Sequence, residues 1–356
     1  MALYYLDFEN PIKELEEQIL KLQSVEDDQD HSAELAGLIE SRDNKLREIY
    51  SNLSRWQRVQ LARHPERPFS MDYIEAITTE FIELHGDRRF ADDTALVGGI
   101  GKIDERSVVL IGQQKGRNTK ENLYRNFGMM RPEGYRKALR LMKLGEKFNL
   151  PIVALVDTPG AYPGIGAEER GQGEAIARNL MEMAKLNVPI LAIVIGEGAS
   201  GGALGIAICD RLVMLENTWY SVISPEGCAS ILWHDATKAP DAADAMKVTP
   251  ADLKEMGICD RVVDEPTGGA HRAPDTMTAI LKSVILEELD LIENDNQDGS
   301  FLESRIQRYE KMGVYQETEC YNLSIAPKFT IKMLIRWGSS IMPVIMNILR
   351  LPVRNY

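Results

Sequence analysis

Residues 189–208 read PILAIVIGEGASGGALGIAI, an apolar run that passes into a glycine-rich stretch. The run predicts a buried β-strand that ends at Gly196, then a turn, and then a helix of small residues that begins near Ser200. Because the first amide groups of a helix lack carbonyl partners, such a junction is suited to holding negative charge. The stretch therefore predicts an α/β domain with a candidate anion site where this helix begins.

Three different motifs fit these residues. Gly196, Gly198 and Gly201 spell G-x-G-x-x-G, the dinucleotide fingerprint, and Glu216 lies about 20 residues further on, where an acid would bind a ribose. That fingerprint belongs to the first βα unit of its domain, whereas at least one complete unit precedes it here. The motif is therefore weak support for nucleotide binding.

The second and third motifs differ in whether a side chain reacts. Gly198, Ser200 and Gly202 spell G-x-S-x-G, the nucleophile elbow of serine hydrolases, which also needs a histidine and an acid. The downstream histidine candidates are His234 and His271. In the third interpretation Gly201 and Gly202 only donate backbone N–H groups to an oxyanion, and no further residue is needed.

The composition limits the class of protein. The chain has 356 residues and a net charge of −13, which argues against general nucleic-acid binding, and we predict no specific nucleic-acid site. The four cysteines are scattered and form no C-x-x-C pair, so we predict neither a metal site nor a disulfide framework. The N-terminus lacks a basic region followed by an apolar core, so we expect no signal peptide and a cytoplasmic protein.

Residues 1–66 are predicted to form an N-terminal helical extension. Asn10-Pro11 is a typical helix start, and apolar residues then recur at helical spacing over residues 12–22 and again over 35–53. Two such helices without a sheet of their own must bury their apolar faces, either on the same chain or on a partner subunit. The remaining predicted segments are a main domain over residues 67–293, a terminal helical segment over 294–320 and an atypical basic, apolar tail over 321–356.

The main domain is predicted to alternate strands and helices. Residues 95–103 and 107–111 are predicted to form a hairpin. The other predicted elements are a helix over 133–148, a strand over 152–156, a helix over 167–185, strands over 211–215 and 220–223, and a helix over 275–292. This alternation is typical of an α/β fold.

A second glycine-rich segment, Asp157–Gly164, also follows a predicted strand. Because ligands of parallel sheets bind at the carboxyl ends of the strands, the two glycine-rich segments predict one shared crevice. Asp157 is a candidate catalytic acid, but a turn or cap carboxylate is the interpretation we favour.

Positive charge is concentrated between Lys115 and Lys143, where nine basic side chains face two acidic ones. A solvated helix face explains part of this cluster. It does not explain Lys115-Gly116-Arg117, which is predicted to lie in a loop just after a strand. Basic groups beside a glycine-rich turn suit a ligand that carries a phosphate or a carboxylate.

Nine segments of the chain together carry a resemblance to one protein family. They are Leu6–Glu9, Gln114–Arg117, Arg125–Met129, Pro132–Ala138, Asp157–Gly164, Ala167–Gln172, Gly196–Gly202, Ser224–Trp233 and Gly268–Arg272. Through them the chain resembles the α subunits of bacterial acetyl-CoA carboxylase carboxyltransferases from about residue 4 to about residue 313.

The resemblance implies a fold and a reaction. The fold is a crotonase-like (ClpP-like) superhelix of ββα units with an N-terminal helical extension. In the reaction, carboxybiotin on the biotin carboxyl carrier protein donates its carboxyl group to acetyl-CoA, giving malonyl-CoA in the first committed step of fatty acid biosynthesis.

The resemblance also implies partners and residue roles. A β subunit is expected to carry zinc and most of the CoA site, to complete an α2β2 heterotetramer and to contact the N-terminal helices, with biotin carboxylase as a further partner. By the resemblance, Gly201 and Gly202 face biotin, and Gly198 and the Gly160-Ala161 turn line the same site. We expect Lys115 and Arg117 to hold a carboxylate or a CoA phosphate.

Two features depart from the family pattern. Gln113 stands where the family usually has a histidine, which removes any imidazole role at that position. The tail over residues 321–356 carries five basic residues and no acidic one, and we expect it to be disordered or bound to a partner rather than to lie on a membrane. A serine hydrolase using Ser200 and a non-catalytic scaffold subunit remain the alternative functions.

Overall fold

The computed structural model describes residues 4–24, 30–297 and 299–313. The tail over residues 321–356 lies outside the described residues, as does the end of the predicted terminal segment. The described residues up to Met312 form one compact unit. The boundaries that we proposed at residues 66 and 293 fall inside this unit and stay predictions.

A mixed sheet of eight strands lies at the centre of the described part of the chain. The strands are β1 Glu80–Glu83, β2 Leu96–Ile103, β3 Arg106–Gln113, β4 Ile152–Thr158, β5 Ile190–Ala199, β6 Arg211–Leu215, β7 Trp219–Ser221 and β8 Arg261–Val263. The first three strands pair antiparallel, and β3, β4, β5, β6 and β8 follow in parallel. β7 pairs in parallel with the last residues of β5.

Fourteen α-helices surround this sheet in the described ranges. They are α1 Asn10–Gln23, α2 Ser32–Ser51, α3 Arg55–Ala62, α4 Ser70–Ile77, α5 Thr119–Tyr124, α6 Pro132–Lys147, α7 Ile165–Glu169, α8 Gln172–Lys185, α9 Ser200–Ala207, α10 Pro225–Trp233, α11 Ala239–Met246, α12 Pro250–Glu255, α13 Pro274–Asp295 and α14 Phe301–Glu310. None of them is long and apolar enough to cross a membrane.

The sheet separates two hydrophobic cores, and strand β4 contributes to both. Ile152, Ala154 and Val156 belong to a core that also contains side chains of α6, α8 and α9. Val153 and Leu155 belong to a second core, with side chains of α4 and α13. A strand covered on both faces is expected to be an unbroken apolar run, and all seven residues of β4 are buried.

Most predicted elements are confirmed, but several were wrong in extent. The strand expected over 152–156 runs to Thr158, and the strand expected over 220–223 is β7, Trp219–Ser221. The strand expected to end at Gly196 runs to Ala199, because Glu197–Ala199 pair with β7. The helix expected over 167–185 is divided into α7 and α8 at Gly171, whose φ of +80° lies in the left-handed region that favours glycine.

The N-terminal extension contacts the chain's own core. Its third helix, α3, was not predicted separately, and Arg55 in it donates two hydrogen bonds to Asp252, of 2.8 and 2.6 Å. On the same helix, Arg58 donates to the Asn217 side chain at 2.8 Å. The side of α3 that carries Arg55 and Arg58 therefore packs on the same chain. Packing of the exposed side of the N-terminal extension on a partner subunit stays a prediction.

Candidate functional site

The candidate site is centred on the junction between β5 and α9. The strand ends at Ala199 and the helix begins at Ser200, whose side chain is exposed and whose φ is +60°. The amide groups of Gly201 and Gly202 belong to the first turn of α9, where backbone N–H groups have no carbonyl partner four residues earlier within the helix. The junction thus places two N–H donors at the positive end of a helix, with Gly201 partly exposed and Gly202 buried.

The second glycine-rich segment packs directly on the first. A Cβ atom placed on Gly202 would lie 2.5 Å from the Ala161 nitrogen and 2.8 Å from the Gly160 Cα. Thr158 holds this turn, because its hydroxyl accepts from the Gly160 amide at 3.1 Å and donates to the Gly160 carbonyl at 2.8 Å. The structure brings Gly160, Ala161 and Gly202 together, as expected of one shared crevice.

Gln113 connects the two segments from inside the protein. Its side-chain amide donates to the Gly202 carbonyl at 2.7 Å, and its side-chain oxygen accepts from the Asp157 amide at 3.1 Å. The residue is fully buried at the end of β3. Gln113 therefore acts as a structural link between β3, β4 and α9.

Lys115 is partly buried and belongs to an ion network with residues of β4 and β5. Its Nζ lies 2.7 Å from Asp157 Oδ1 and 2.8 Å from Glu197 Oε2, and Glu197 Oε1 accepts from Arg63 Nε at 2.6 Å. Burial alone would lower the pKa of Lys115, but the two carboxylates outweigh it and hold that pKa above its usual value. The positive charge that we assigned to a ligand is thus already paired with two carboxylates of the chain.

The pKa values of the two carboxylates in this network, Asp157 and Glu197, are shifted in opposite directions. Burial raises the pKa of Asp157, and Lys115 opposes this only in part. Burial also acts to raise the pKa of Glu197, but Lys115 and Arg63 together bring it below its usual value. Glu197 is therefore held as an anion between two cations.

Asp157 was expected in a turn or a cap, and this was wrong. It lies inside β4, and its Oδ1 accepts from the Glu197 amide at 3.0 Å. A Cβ on Gly196 would stand 2.7 Å from the Asp157 Cγ, so the glycine makes room for the carboxylate. Gly196 therefore permits the close approach of the Asp157 carboxylate to strand β5.

Gly198 has a packing partner of its own. A Cβ there would overlap the Tyr220 ring and would lie 3.2 Å from the Trp219 carbonyl oxygen. The geometry assigns this glycine to the contact between β5 and β7. Its expected place in the substrate site stays a prediction.

Arg117 lies in a loop beside a cavity of about 250 Å³. Its guanidinium stacks 4.1 Å from the centre of the Phe69 ring, forms an ion pair with Asp72 and donates to the Arg67 carbonyl at 2.8 Å. The side chain nevertheless remains 40% exposed, so its outer edge can still reach a ligand. The described lining of the cavity also includes Arg63, His64 and Lys115.

The residues of the two rival motifs lie in other contacts. Glu216 accepts a hydrogen bond of 3.2 Å from Arg58 and another of 3.2 Å from the Glu265 amide. His271 stacks on His64 with ring centres 3.8 Å apart, and burial lowers its pKa to about 2. His234 ends α10, and neither histidine forms a hydrogen bond to Ser200 in the described part of the chain.

One group of potential metal ligands is present among the described residues. Ligand atoms of Glu9, His64 and His271 lie within 4.8 Å of one another. Both His64 nitrogens already have partners, the Tyr4 carbonyl and the Glu66 amide, at 3.3 and 3.2 Å. Glu9 also pairs with the Arg272 guanidinium at 3.5 Å, and a cation in this position is unfavourable for metal binding. We assign no metal to this group.

Sequence reasoning missed Glu197 and Arg63. Glu197 occupies one of the unspecified positions of the glycine motif, and nothing in the pattern marked it as the partner of Lys115, 82 residues earlier. Arg63 lies in the N-terminal extension, 134 residues before Glu197. A charged residue inside an otherwise apolar and glycine-rich stretch was the one available signal.

Comparisons with known proteins agree on one family. A family model described as "Acetyl co-enzyme A carboxylase carboxyltransferase-like" matches residues 5–313. The acetyl-coenzyme A carboxylase carboxyl transferase subunit alpha of Chlorobaculum parvum is 54% identical over 335 residues, which cover 89% of this chain and 99% of that protein. The protein of the same name from Xanthomonas campestris pv. campestris is 56% identical over 314 residues, covering 88% of this chain and 98% of that protein.

Solved structures support the fold class. A Pseudomonas malonate decarboxylase hetero-tetramer in complex with coenzyme A contains a chain with a TM-score of 0.53 and 16% identity, over 68% of this chain and 94% of that one. A transcarboxylase 12S structure gives a TM-score of 0.50 and 19% identity over 72% of this chain, which spans 44% of that longer chain. The predicted crotonase-like α/β fold is confirmed.

Proposed function

The chain belongs to the family of acetyl-CoA carboxylase carboxyltransferase α subunits, and from this we propose that, with a β subunit, it transfers the carboxyl group of carboxybiotin to acetyl-CoA to form malonyl-CoA. The proposal includes biotin on a separate carrier protein, acetyl-CoA and malonyl-CoA as substrates, an α2β2 assembly, biotin carboxylase as a further partner and a cytoplasmic location. Zinc, where the assembly holds it, would lie on the β subunit.

The position of the Gly201 and Gly202 amides in the first turn of α9 is the observation that supports this proposal best. Carboxybiotin supplies a carboxyl group whose departure leaves negative charge on the ureido oxygen. The two N–H groups offer preorganised donors for that oxygen, and the helix behind them adds a favourable dipole. One such donor typically contributes roughly 100- to 1000-fold in rate.

The turn at Gly160 and Ala161 fixes the position of these donors. Its backbone packs against Gly202, and the Gln113 side chain holds the Gly202 carbonyl from the other side. No side chain of this chain needs to react, because the ureido anion itself can take a proton from the acetyl methyl group. The donors for the enolate oxygen are then expected on the partner subunit.

Reconstitution with and without the β subunit tests the proposal. The assay is carboxyl transfer from malonyl-CoA to biotin, and we expect activity only in the complex. Gly201→Val should fold, because its Cβ would have only Ile176 nearby, at 3.7 Å, while its methyl groups crowd the space around the amide. A loss of roughly 100-fold in kcat with normal assembly is expected.

Gly201→Val also tests the scaffold alternative. If the chain only organised other subunits, the variant would assemble and keep full activity. An inactive wild-type complex would contradict the proposed function itself.

A serine hydrolase is the second candidate, and the backbone of Ser200 favours it. An exposed serine at positive φ between a strand and a helix is the geometry of a nucleophile elbow. A hydrolase would lose its activity on Ser200→Ala, whereas carboxyl transfer should persist. Ester hydrolysis by the wild-type chain that disappears in this variant would support the second candidate.

A further inference from the structure

A basic cleft lies between α6, α8 and the loop over residues 86–91. Its volume is about 320 Å³, and its lining contains five cationic and two anionic side chains. The cations, which we call the arginine cleft, are Arg89, Arg136, Arg140, Lys143 and Arg178. Arg136, Lys143 and Arg178 are ion-paired with Asp87, Glu182 and Glu174, so the unbalanced positive charge of the cleft comes from Arg89 and Arg140.

The loop of the cleft is rigidly built around Asp87. The Oδ1 atom of this buried carboxylate accepts from the amides of Arg89, Phe90 and Ala91 at 2.9, 2.7 and 3.1 Å. Its Oδ2 atom accepts from Arg136 Nε at 2.8 Å. Both oxygens of Asp87 thus accept hydrogen bonds that hold the loop, and the Arg89 side chain in this loop is exposed.

Two of the cations have no carboxylate partner among the described residues. The Arg89 side chain is exposed and forms no ion pair there. Arg140 donates instead to the carbonyls of Gly86 and His85, at 3.0 and 3.2 Å. Burial and then the nearby Arg88 lower the pKa of Arg140, as expected where positive charges are incompletely balanced.

The cations form a row rather than one convergent pocket. Arg136, Arg140 and Lys143 lie four and seven residues apart along one face of α6, which spreads them over about 10 Å at 1.5 Å per residue. A single phosphate would be held by cations that converge on one point. A row of this length fits the acidic face of a protein instead.

The cleft lies close to the candidate site through α8. Ile176 of this helix faces Gly201, and Arg178 lines the cleft on another side of the same helix. The two places are therefore separated by about one helix diameter, ~10 Å. A biotin on a flexible arm can span that distance from a domain seated on the cleft.

We propose that the arginine cleft docks an acidic face of the biotin-bearing carrier domain. This inference rests on the proposed function, which requires a carrier to visit the site and leave again. Docking through exposed charges suits a shuttling partner, because charged surface pairs accelerate association without making the complex long-lived.

The test compares carrier-borne biotin with free biotin in the complex with the β subunit. The charge-reversal variant is Arg89→Glu with Lys143→Glu, both exposed, and the conservative variant is Arg89→Lys with Lys143→Arg. A matched control, Lys254→Glu with Lys311→Glu, changes the net charge equally at exposed positions outside the cleft. The measurement is kcat/KM for carboxyl transfer from malonyl-CoA to each acceptor.

We expect the charge-reversal variant to lose about tenfold in kcat/KM with carrier-borne biotin and to keep its activity with free biotin. The wild-type rate with the carrier should fall as salt is added, and the rate of the variant should depend less on salt. The conservative variant and the control should behave as the wild type.

Three results would overturn the inference. The first is that the charge-reversal variant keeps the wild-type rate with the carrier, and the second is that it loses the same factor with both acceptors. The third is that inorganic pyrophosphate inhibits transfer to free biotin in the wild type but not in the charge-reversal variant. This third result would indicate a site for a small anion. A wild-type complex inactive on both acceptors would instead contradict the proposed function, and this inference with it.

Discussion

Gly202 packs on the backbone of Gly160 so closely that a Cβ at residue 202 would lie 2.8 Å from the Gly160 Cα. Gly201, one residue earlier, has only Ile176 at 3.7 Å from the same hypothetical atom. The two adjacent glycines are therefore needed for different reasons. Gly202 brings the two glycine-rich segments together, and Gly201 leaves space beside the start of α9.

Gly202→Ala should destabilise the protein and abolish carboxyl transfer. The methyl group meets backbone atoms of Gly160 and Ala161, which cannot turn aside as a side chain could, and overpacking of this kind costs about 1–3 kcal/mol. Gly201→Ala is the matched control and should unfold at the wild-type temperature. Thermal denaturation and the malonyl-CoA assay measure both effects, and equal unfolding temperatures for the two variants would contradict the packing argument.

Lys115→Met should act mainly on stability. The substitution leaves Asp157 and Glu197 buried without their shared cation, and breaking a buried ion pair costs about 3–5 kcal/mol. Urea denaturation measures the loss, with Lys120→Met, at an exposed position of the same segment, as the control. An unchanged unfolding free energy combined with a raised KM would show that Lys115 serves the substrate instead.

Arg117→Glu should raise KM for the CoA substrate by about tenfold, because it reverses the charge that we expect to hold a carboxylate or phosphate. The side chain is 40% exposed, so the effect on the unfolding temperature should be smaller than that of Lys115→Met. Steady-state kinetics of the complex with the β subunit give KM and kcat separately. An unchanged KM would rule out this role, and Lys120→Glu controls for the local change in charge.

The sequence predicted the elements of the site better than their contacts. A helix start near Ser200 follows from local chemistry, since small residues and glycines mark where an apolar strand gives way to a helix. The extension of β5 to Ala199 depends on pairing with β7, about 20 residues away, and no local pattern shows such pairing.

The charge partners escaped prediction for the same reason. Lys115 was assigned to a ligand because it was predicted to lie in a loop after a strand, beside a glycine-rich turn, whereas its carboxylates come 42 and 82 residues later. Arg55 similarly finds Asp252 across 197 residues. A charge that the fold buries needs a partner of opposite charge. Which residue is that partner depends on the fold and cannot be found from neighbouring residues in the sequence.

The pair of Arg55 and Asp252 should make the attachment of the N-terminal extension depend on acid pH. The hydrogen bond from Arg55 is the largest cause that lowers the pKa of Asp252 from 3.8 to about 2. Because the folded state binds this proton less tightly than the unfolded chain, the contribution is complete above about pH 4 and is lost as the pH falls through about 2.

The difference in unfolding free energy between the wild type and Arg55→Ala should therefore shrink by roughly half between pH 5 and pH 3. Urea denaturation of the wild type and of Arg55→Ala at the two pH values measures this difference. Arg42→Ala, which removes a partly exposed arginine–aspartate pair of neighbouring residues within α2, is the control. A difference that grows toward low pH would contradict the assigned sign.

Arg305 should anchor the terminal helix α14 to the main domain. Arg305 is 1% exposed, and its guanidinium donates two hydrogen bonds of 2.9 Å to Asp210. It also donates to the carbonyls of Met183, Leu186 and Val188, at 3.0, 2.7 and 3.0 Å. Those carbonyls belong to the end of α8 and the residues after it, so the side chain satisfies acceptors that the helix itself cannot. Arg305→Met would leave the buried Asp210 carboxylate without this cation, with the Ile190 amide still donating to its Oδ2 at 2.7 Å, and would remove the side-chain donor from these carbonyls. We expect a loss of about 3–5 kcal/mol in unfolding free energy. Arg308→Met on the same helix should lose less, because its partner Asp260 is partly exposed and can be solvated. Equal losses for the two variants, measured by urea denaturation, would show that burial of the Arg305 charge is not what makes α14 part of the domain.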